Sequence, residues 1–154
     1  MTSKCAVCTA LQTNKYVIRR GARWTVALAT DQYWLGRSYV TLHSHKESLS
    51  DLNTEDWREY IEIVRMYEEK VREEFGADLF NWSCLMNDAF KREPFQSPHV
   101  HWHVRTRYSK IQEIGSMKFS DSEFGQHYRT RYDGRKDMIV PDEIMKIIHE
   151  KLEF

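Results

Sequence analysis

The feature that most constrains how this chain can fold is a run of alternating histidines and apolar residues between positions 99 and 104. Histidines stand at His99, His101 and His103, separated by a valine and a tryptophan and followed by a valine. Residues two apart in a β-strand project from the same face, so the run predicts a strand with three imidazoles on one face and its apolar side chains against the core. A single His-x-His pair is typical of a solvent-facing strand, but three histidines in a row favour a functional site.

Imidazoles at alternate positions of a strand lie roughly 6.5 Å apart, and each disfavours the charged form of its neighbours. We therefore expect these imidazoles to be neutral near pH 7 and able to act as nucleophiles, proton carriers or metal ligands. Phosphoryl and nucleotidyl transfer needs a nucleophile in line with the leaving group and a proton for that group, and neutral imidazole can supply both.

The same run resembles the signature of the histidine triad (HIT) superfamily of nucleotide hydrolases and transferases, in which three histidines alternate with apolar residues. Residues 99–104 match that motif, and Arg105 stands at the seventh position, where the family has an apolar residue. Arg107 and Tyr108 after the His-Trp-His run are similar to the branch of diadenosine polyphosphate hydrolases, although Thr106 replaces the proline of that branch.

The resemblance implies an α+β protein with a HIT-like fold: about five antiparallel strands, one long helix and a C-terminal helical extension. A chain of 154 residues is one domain by size. We expect residues 1–108 to form the HIT core and residues 109–154 an extension packed on the same domain. HIT domains pair around a two-fold axis, so the resemblance also implies a homodimer.

Periodicity in the sequence agrees with such a fold. Short strands are predicted over 16–19, 23–29 and 39–43, which would form a meander, and a buried strand over 79–86. A long helix is predicted over 54–75, with Asn53 or Thr54 as its N-cap and Gly76 as its stop. A final helix is predicted to start within 140–143. The stripe that predicts the long helix comprises Trp57, Tyr60, Ile61, Val64, Tyr67, Val71 and Phe75.

By resemblance, His101 is the nucleophile that attacks an α-phosphate and forms a nucleotidyl-histidine, which water then hydrolyses. His103 would contact the phosphate or the leaving group, and His99 would orient the strand. The implied substrates are dinucleoside polyphosphates, such as diadenosine tetraphosphate, or nucleoside phosphoramidates. The sequence does not select among them, nor does it give the base preference.

Two alternatives stay open. A nucleotide-binding module could keep this fold without efficient turnover. A catalytic-zinc hydrolase could use His101, His103 and His127, in a spacing similar to the zinc ligands of carbonic anhydrases, but the chain is far too short for that fold.

The spacing of Cys5 and Cys8 lets two thiolates bind one tetrahedral zinc, and such a pair needs two more ligands. In zinc-bearing HIT relatives these are a histidine after the second core strand and the first histidine of the triad. Residues 36–45 have the spacing of a family segment that begins with glycine and ends in the first of these histidines. The resemblance therefore places His45 rather than His43 at that position, and His99 stands at the second. Four protein ligands leave no open position, so the zinc would be structural. Reduced, metal-free cysteines are the alternative.

The resemblance also implies substrate contacts ahead of the triad and in an early loop. Asn87 matches an asparagine that precedes the triad loop, and Gln96 and Ser97 match phosphate-contacting side chains of that loop. Asp31 lies near an acidic residue that binds ribose hydroxyls, with an ordinary turn aspartate as the alternative.

Composition excludes several classes of protein. Acidic and basic residues balance at 23 each, so no overall field would hold nucleic acid or a membrane surface. No apolar run approaches the ~20 residues of a membrane span, and no signal-peptide pattern follows Met1, so we expect a cytoplasmic protein. Three cysteines argue against a disulfide framework. Charge for a polyphosphate would come from basic residues after the triad, with a solvated basic surface as the alternative for any one of them. These residues are Arg105, Arg107, Lys110, Arg129, Arg131, Arg135 and Lys136.

Overall fold

The computed structural model describes residues 5–91, 93–126 and 137–154 and confirms the predicted α+β fold. A five-stranded antiparallel sheet has the strand order β1-β2-β3-β5-β4. Its first three strands form the predicted meander. The strands are β1 (Val17–Arg20), β2 (Trp24–Leu28), β3 (Ser38–Leu42), β4 (Leu79–Ser83) and β5 (His101–Arg107).

The long helix α2 covers Thr54–Phe75, as its periodicity predicts. Asn53 is the N-cap: its side chain accepts from the amide of Asp56, whose carboxylate accepts from the amide of Asn53. Gly76 ends the helix in the left-handed conformation, at φ 67°, which costs glycine little. The face of α2 that packs on the sheet comprises Tyr60, Ile63, Tyr67, Val71 and Phe75. Ile61, which the spacing assigned to this face, is half exposed.

Side chains alternate along each strand, so one face of the sheet is apolar and packs against α2. The opposite face, which carries Thr25 and Ala27, is called the functional face below. Trp24, Val26 and Leu28 point towards α2, and Thr25 and Ala27 point to the opposite face. The antiparallel register places Tyr39 of β3 beside His103 of β5 and Thr41 beside His101. The two histidines therefore lie on the face that α2 does not cover.

Four features differ from the sequence predictions. A short helix α1 (Ala6–Thr13), which no prediction covered, follows Cys5. The predicted buried strand over 79–86 ends at Ser83, before the chain turns at Met86 with φ 52°, and none of its residues is buried because β4 is an edge strand. Strand pairing on β5 begins at His101, so His99 precedes the strand proper. A small hairpin of β6 (Gln112–Ile114) and β7 (Met117–Phe119) follows β5.

The C-terminal helix α3 (Asp142–Leu152) follows Pro141 as predicted. It packs beside α2 and β1, and its buried side chains join the same apolar core as the sheet. Those side chains are Ile144, Met145, Ile148 and Leu152. Within the described residues, no helix combines the length and apolarity that crossing a bilayer requires.

Candidate active site and metal-binding cluster

Cys5, Cys8, His45 and His99 converge on one point, and their ligand atoms all lie within 4.8 Å of one another. Cys5 is the N-cap of α1 and Cys8 lies in its first turn, so both thiols are on one side of the helix. The Nδ1 of His99 is 3.6 Å from the sulfur of Cys5 and 3.3 Å from that of Cys8. The Nδ1 of His45 is 3.4 Å from the sulfur of Cys8.

These distances fit a bound zinc ion. With Zn–S near 2.3 Å and Zn–N near 2.0–2.1 Å, a sulfur and a nitrogen on one tetrahedral ion lie about 3.6 Å apart. The cluster therefore has the donor set and the spacing of a tetrahedral two-thiolate, two-imidazole centre. It is the one group of potential metal ligands that the described part of the chain contains.

The surroundings of His99 present the correct ring nitrogen to the thiols. Its Nε2 lies 2.8 Å from the carbonyl oxygen of Leu42, and a carbonyl only accepts, so the proton is on Nε2 and the lone pair on Nδ1 faces the cysteines. Burial, aided by the charges of His45 and His101, lowers the pKa of His99 despite that hydrogen bond, which keeps the ring neutral. Burial also raises the pKa of the Cys8 thiol, and the adjacent Cys5 adds to the shift.

His43, the other candidate for this position, does not belong to the cluster. Its Nε2 is 2.9 Å from the hydroxyl of Thr25, and its Nδ1 is 3.2 Å from the carbonyl oxygen of Ala22. These contacts hold the ring against β2. The cluster of potential ligands therefore contains His45 and not His43.

His101 and His103 form a linked pair beside the cluster. The Nδ1 of His101 is 2.7 Å from the carbonyl oxygen of His99, so that nitrogen carries the proton and Nε2 holds the lone pair of the neutral ring. The Nε2 of His103 is 3.1 Å from the Nε2 of His101 and donates to it. The ring of Tyr39 meets both imidazoles edge-on, with centroid distances of 6.5 Å to His101 and 5.0 Å to His103. His101 therefore presents an oriented, unprotonated nitrogen.

This pair lines a cleft of about 250 Å³ between α1 and the functional face of the sheet. The sheet contributes small or hydroxyl-bearing side chains, and α1 contributes mainly aliphatic ones. Asp88 is the only charged side chain among the lining residues that the structure describes. The remaining lining residues are Ala6, Val7, Ala10, Leu11, Asn14, Thr25, Ala27, Tyr39 and Thr41.

Asp31 is not among the residues that line the cleft, and its expected contact with a ribose stays a prediction. It is buried, and one carboxylate oxygen accepts from the guanidinium of Arg37. The other accepts from the amides of Tyr33, at 3.1 Å, and Met138, at 2.9 Å. With both oxygens engaged, Asp31 joins the loop after β2 to the C-terminal segment, as a structural turn residue does.

Of the three residues expected to contact substrate near the triad, none is among the residues that line the cleft. The side-chain oxygen of Gln96 accepts from the amide of Ala6, at 3.2 Å, so Gln96 ties the triad loop to the start of α1. Asn87 lies on a short 3-10 turn and is exposed, whereas its neighbour Asp88 lines the cleft. Ser97 is partly buried.

Of the basic residues after the triad, the three that the structure describes, Arg105, Arg107 and Lys110, do not line the cleft. Arg107 is buried and paired with Asp121, and it also donates to the carbonyl oxygen of Glu123. Arg105 is buried too, with its guanidinium 5.4 Å from the ring of Trp34. Arg107 is thus a structural residue that organises the segment after the hairpin. His127 and the basic residues between 129 and 136 lie outside the described residues.

The residues that sequence reasoning missed are those that form the two walls of the cleft. On α1 and its C-cap, Val7, Ala10, Leu11 and Asn14 recur at spacings of three and four, which is the signal of one helix face. On β2, Thr25 and Ala27 alternate with the apolar core residues. The periodic stretch on α1 was too short to predict a helix. The alternation on β2 identifies a wall of the cleft only once the register of the sheet, which brings β2 near the histidines of β5, is known.

Comparison with solved structures shows a shared fold at low sequence identity. A histidine triad protein from Marinobacter aquaeolei VT8 has a TM-score of 0.69 at 16% identity, covering 99% of this chain and 95% of that chain. A zinc-bound histidine triad family protein from Mycobacterium smegmatis has a TM-score of 0.63 at 16% identity, covering 97% and 93%. A uridylyltransferase has a TM-score of 0.65 at 13% identity, covering 96% of this chain and 45% of that longer chain.

These likenesses place the chain in the histidine-triad-like fold. No family model matches the sequence, and neither does any curated protein.

Proposed function

We propose that this protein is a nucleotide hydrolase or transferase of the HIT type, acting at an α-phosphate through a nucleotidyl-histidine on His101. The main support for the proposal is the chain of hydrogen bonds that links the three histidines of the triad at the edge of the cleft. The carbonyl oxygen of His99 fixes the proton on Nδ1 of His101, and His103 lies 3.1 Å from the nitrogen that remains nucleophilic. Structural neighbours described as histidine triad proteins and as a uridylyltransferase support nucleotidyl transfer.

The proposed reaction has two steps. The lone pair on Nε2 of His101 attacks phosphorus, and the bond from phosphorus to the leaving-group oxygen or nitrogen breaks. The negative charge of the phosphate that enters between the rings favours the doubly protonated, cationic form of His103. That ring gives its Nε2 proton to the leaving group and is left neutral. Water, or an acceptor alcohol or phosphate in a transferase, then attacks phosphorus opposite His101 and gives a proton to His103, while the bond from phosphorus to Nε2 of His101 breaks and both rings are regenerated.

The same contacts stabilise the charge that develops. When His101 becomes bonded to phosphorus, its ring is cationic, and the hydrogen bond from Nδ1 to the carbonyl of His99 strengthens. No lysine or arginine of the described residues lines the cleft. Among the described residues, the phosphate charge is therefore met by ring N–H donors.

In this proposal, zinc held by Cys5, Cys8, His45 and His99 has a structural role, because the four protein ligands fill its tetrahedron. A zinc ion bound there would hold His99 in place, and the carbonyl oxygen of His99 orients His101, the proposed nucleophile. The zinc-bound neighbour from Mycobacterium smegmatis supports the assignment of the metal.

The substrate class we propose is a nucleotide conjugate whose leaving group extends out of the cleft: a dinucleoside polyphosphate of the diadenosine tetraphosphate type or a nucleoside phosphoramidate. A cleft of about 250 Å³ with aliphatic and small side chains suits one nucleoside, and the second half of a dinucleotide would lie outside. The resemblance of the His-Trp-His run to that of the diadenosine polyphosphate hydrolase branch supports the first of these two classes.

A substrate panel tests the proposal. Zinc-loaded protein is incubated with diadenosine tetraphosphate, adenosine phosphoramidate and a nucleotide sugar, and released mononucleotide is measured beside the His101→Ala variant. Release from at least one conjugate by the wild type, and loss of that release in the variant, is the expected result. Tight nucleotide binding without release from any member would favour a binding module instead. Turnover that the His101→Ala variant retains would contradict the proposed nucleophile.

A further inference from the structure

Tyr39 of β3 brings a phenol group to the triad. The register of the sheet pairs Tyr39 with His103, and its ring lies edge-on to that imidazole at a centroid distance of 5.0 Å. The distance to the ring of His101 is longer, at 6.5 Å. Tyr39 is partly buried and lines the cleft. The tyrosine ring therefore lies nearer to the proposed acid of the leaving group than to the proposed nucleophile.

Arg37, two residues earlier in the chain, positions the oxygen of this phenol. One of its guanidinium nitrogens donates to the phenol oxygen at 3.4 Å, the long end of the range for a hydrogen bond. Arg37 is itself 1% exposed and paired with the carboxylate of Asp31. Thr41, the residue that pairs with His101, follows Tyr39 on the strand. The contact with Arg37 thus draws the phenol oxygen away from the nucleophile.

The hydrogen of this phenol is available to a ligand. A guanidinium carries only donors, so the phenol oxygen accepts from Arg37, and its own hydrogen needs a different acceptor. Within the described part of the chain, no group accepts that hydrogen. A hydroxyl that accepts from a cation is polarised and becomes a better donor. An anionic phosphate oxygen is the acceptor with which such a donor forms its strongest hydrogen bond.

We propose that Tyr39 recognises the leaving group of a polyphosphate substrate, with its phenolic O–H donating to an oxygen of the β-phosphate, and that it thereby favours polyphosphates over phosphoramidates. In the proposed reaction the α-phosphate lies between the two imidazoles, and His103 protonates the leaving group. The β-phosphate is then on the side of His103, where the phenol lies. A phosphoramidate has an amine at this position and no second phosphate. The inference rests on the proposed function for the identity of the substrate.

The Tyr39→Phe variant tests this selectivity, because it removes the phenol oxygen and keeps the ring beside both imidazoles. We measure kcat/KM of zinc-loaded protein for diadenosine tetraphosphate and for adenosine phosphoramidate. A hydrogen bond to a charged group is worth about 1.5–3 kcal/mol, so the ratio of the two values should fall at least about tenfold. Tyr16→Phe, which removes a phenol oxygen bonded to Asp142, is the control and should keep the wild-type ratio. An equal loss for both substrates would overturn the proposal.

Titration with adenosine diphosphate and adenosine monophosphate tests the contact without turnover. Both ligands carry the same nucleoside and α-phosphate, so their difference in affinity reports the β-phosphate. We expect the wild type to prefer the diphosphate, and Tyr39→Phe to reduce that preference at least about fivefold. A wild type without the preference, or a variant that keeps it, would overturn the proposal. If the wild type turns over neither conjugate and Tyr39→Phe still loses the preference, the proposed function fails and the contact of Tyr39 with phosphate stands.

Discussion

The Nδ1 of His101 lies 2.7 Å from the carbonyl oxygen of His99, two residues earlier in the chain. A backbone oxygen at this position cannot rotate away or change protonation, so it fixes both the tautomer and the ring plane of His101. The side chain of His99 is held in turn by the carbonyl of Leu42. The metal-binding cluster and the candidate nucleophile are thus joined through a single residue, His99.

Replacing His101 with Ala should abolish turnover and leave the fold and the zinc content unchanged. The ring is only partly buried, and it is not a member of the metal cluster. Loss of a covalent nucleophile usually costs several orders of magnitude in kcat. A folded, zinc-loaded variant that keeps more than about a hundredth of wild-type activity would therefore be incompatible with a nucleophile at His101. His99→Ala, by comparison, should also lower the zinc content.

Replacing His103 with Ala should produce a defect that depends on the leaving group. His103 donates to the nucleophilic nitrogen of His101 and is proposed to protonate the departing group. A lost general acid typically costs about 10²–10⁴-fold in rate for a poor leaving group. We expect the loss to be much smaller for a nitrophenyl ester of a nucleoside monophosphate, which leaves without a proton. An equal loss for both substrates would assign His103 a role other than proton transfer.

Purified protein should contain one zinc ion per chain. The motivating observation is the convergence of Cys5, Cys8, His45 and His99 within 4.8 Å. Apparent binding energies of structural zinc in small peptides are about 10 kcal/mol or more, so chelation should lower Tm by more than about 10 °C. Elemental analysis and a thermal melt with and without chelator make the measurement. Well-folded protein that carries no metal would remove the zinc assignment.

The sequence predicted the features that depend on local pattern. Period-two alternation placed His101 and His103 together on one strand face, because that relationship holds in any strand. The helix Thr54–Phe75 was predicted to its end residues, since a long apolar stripe, an N-cap and a terminal glycine all agree there. The cysteine spacing likewise indicated a metal ligand pair, which the fold brings to His45 and His99.

Features that depend on the fold of distant segments were not predictable. Gln96 matched a phosphate-binding position, but its side chain contacts Ala6, which is 90 residues away in the chain. Asp31 matched a ribose-binding position, yet Arg37 and the amide of Met138 occupy its oxygens. The outer wall of the cleft is a helix of eight residues, too short for a periodic signal.

The protein should form a homodimer in solution. β4 is an edge strand, so one side of its backbone has no partner within the described sheet. Leu79 on that strand and Ile61 and Met66 on α2 are large apolar side chains that are between about 38% and 49% exposed. Unpaired strand edges and exposed apolar side chains favour association of identical copies. Sedimentation equilibrium at micromolar concentration is the measurement, and a monomer there would contradict the prediction.

The carboxylate of Asp56 should make the stability of the protein fall in acid. Its side chain is 1% exposed, and it accepts from Arg23, at 3.0 Å, and from Lys46, at 2.6 Å. Burial opposes ionisation, but hydrogen bonds from Lys46, Asn53 and Arg23 outweigh it and hold the pKa of Asp56 below the ordinary value of an aspartate. A group whose pKa is lowered by folding stabilises the protein above its unfolded pKa, and that contribution is lost as the pH falls through the folded pKa.

Asp56→Asn should therefore lower the free energy of unfolding at pH 7 by about 1–3 kcal/mol, less than for a fully buried pair because Arg23 and Lys46 reach solvent. The difference between the variant and the wild type should shrink as the pH falls below about 5 and disappear below the folded pKa, where the wild-type carboxylate is protonated as well. Urea unfolding at several pH values makes the measurement. Glu55→Gln, which alters an exposed carboxylate on the same helix turn, is the control and should cost less than about 1 kcal/mol. If the loss from Asp56→Asn were equal at pH 3 and pH 7, the charge of this carboxylate would not be what stabilises the start of α2.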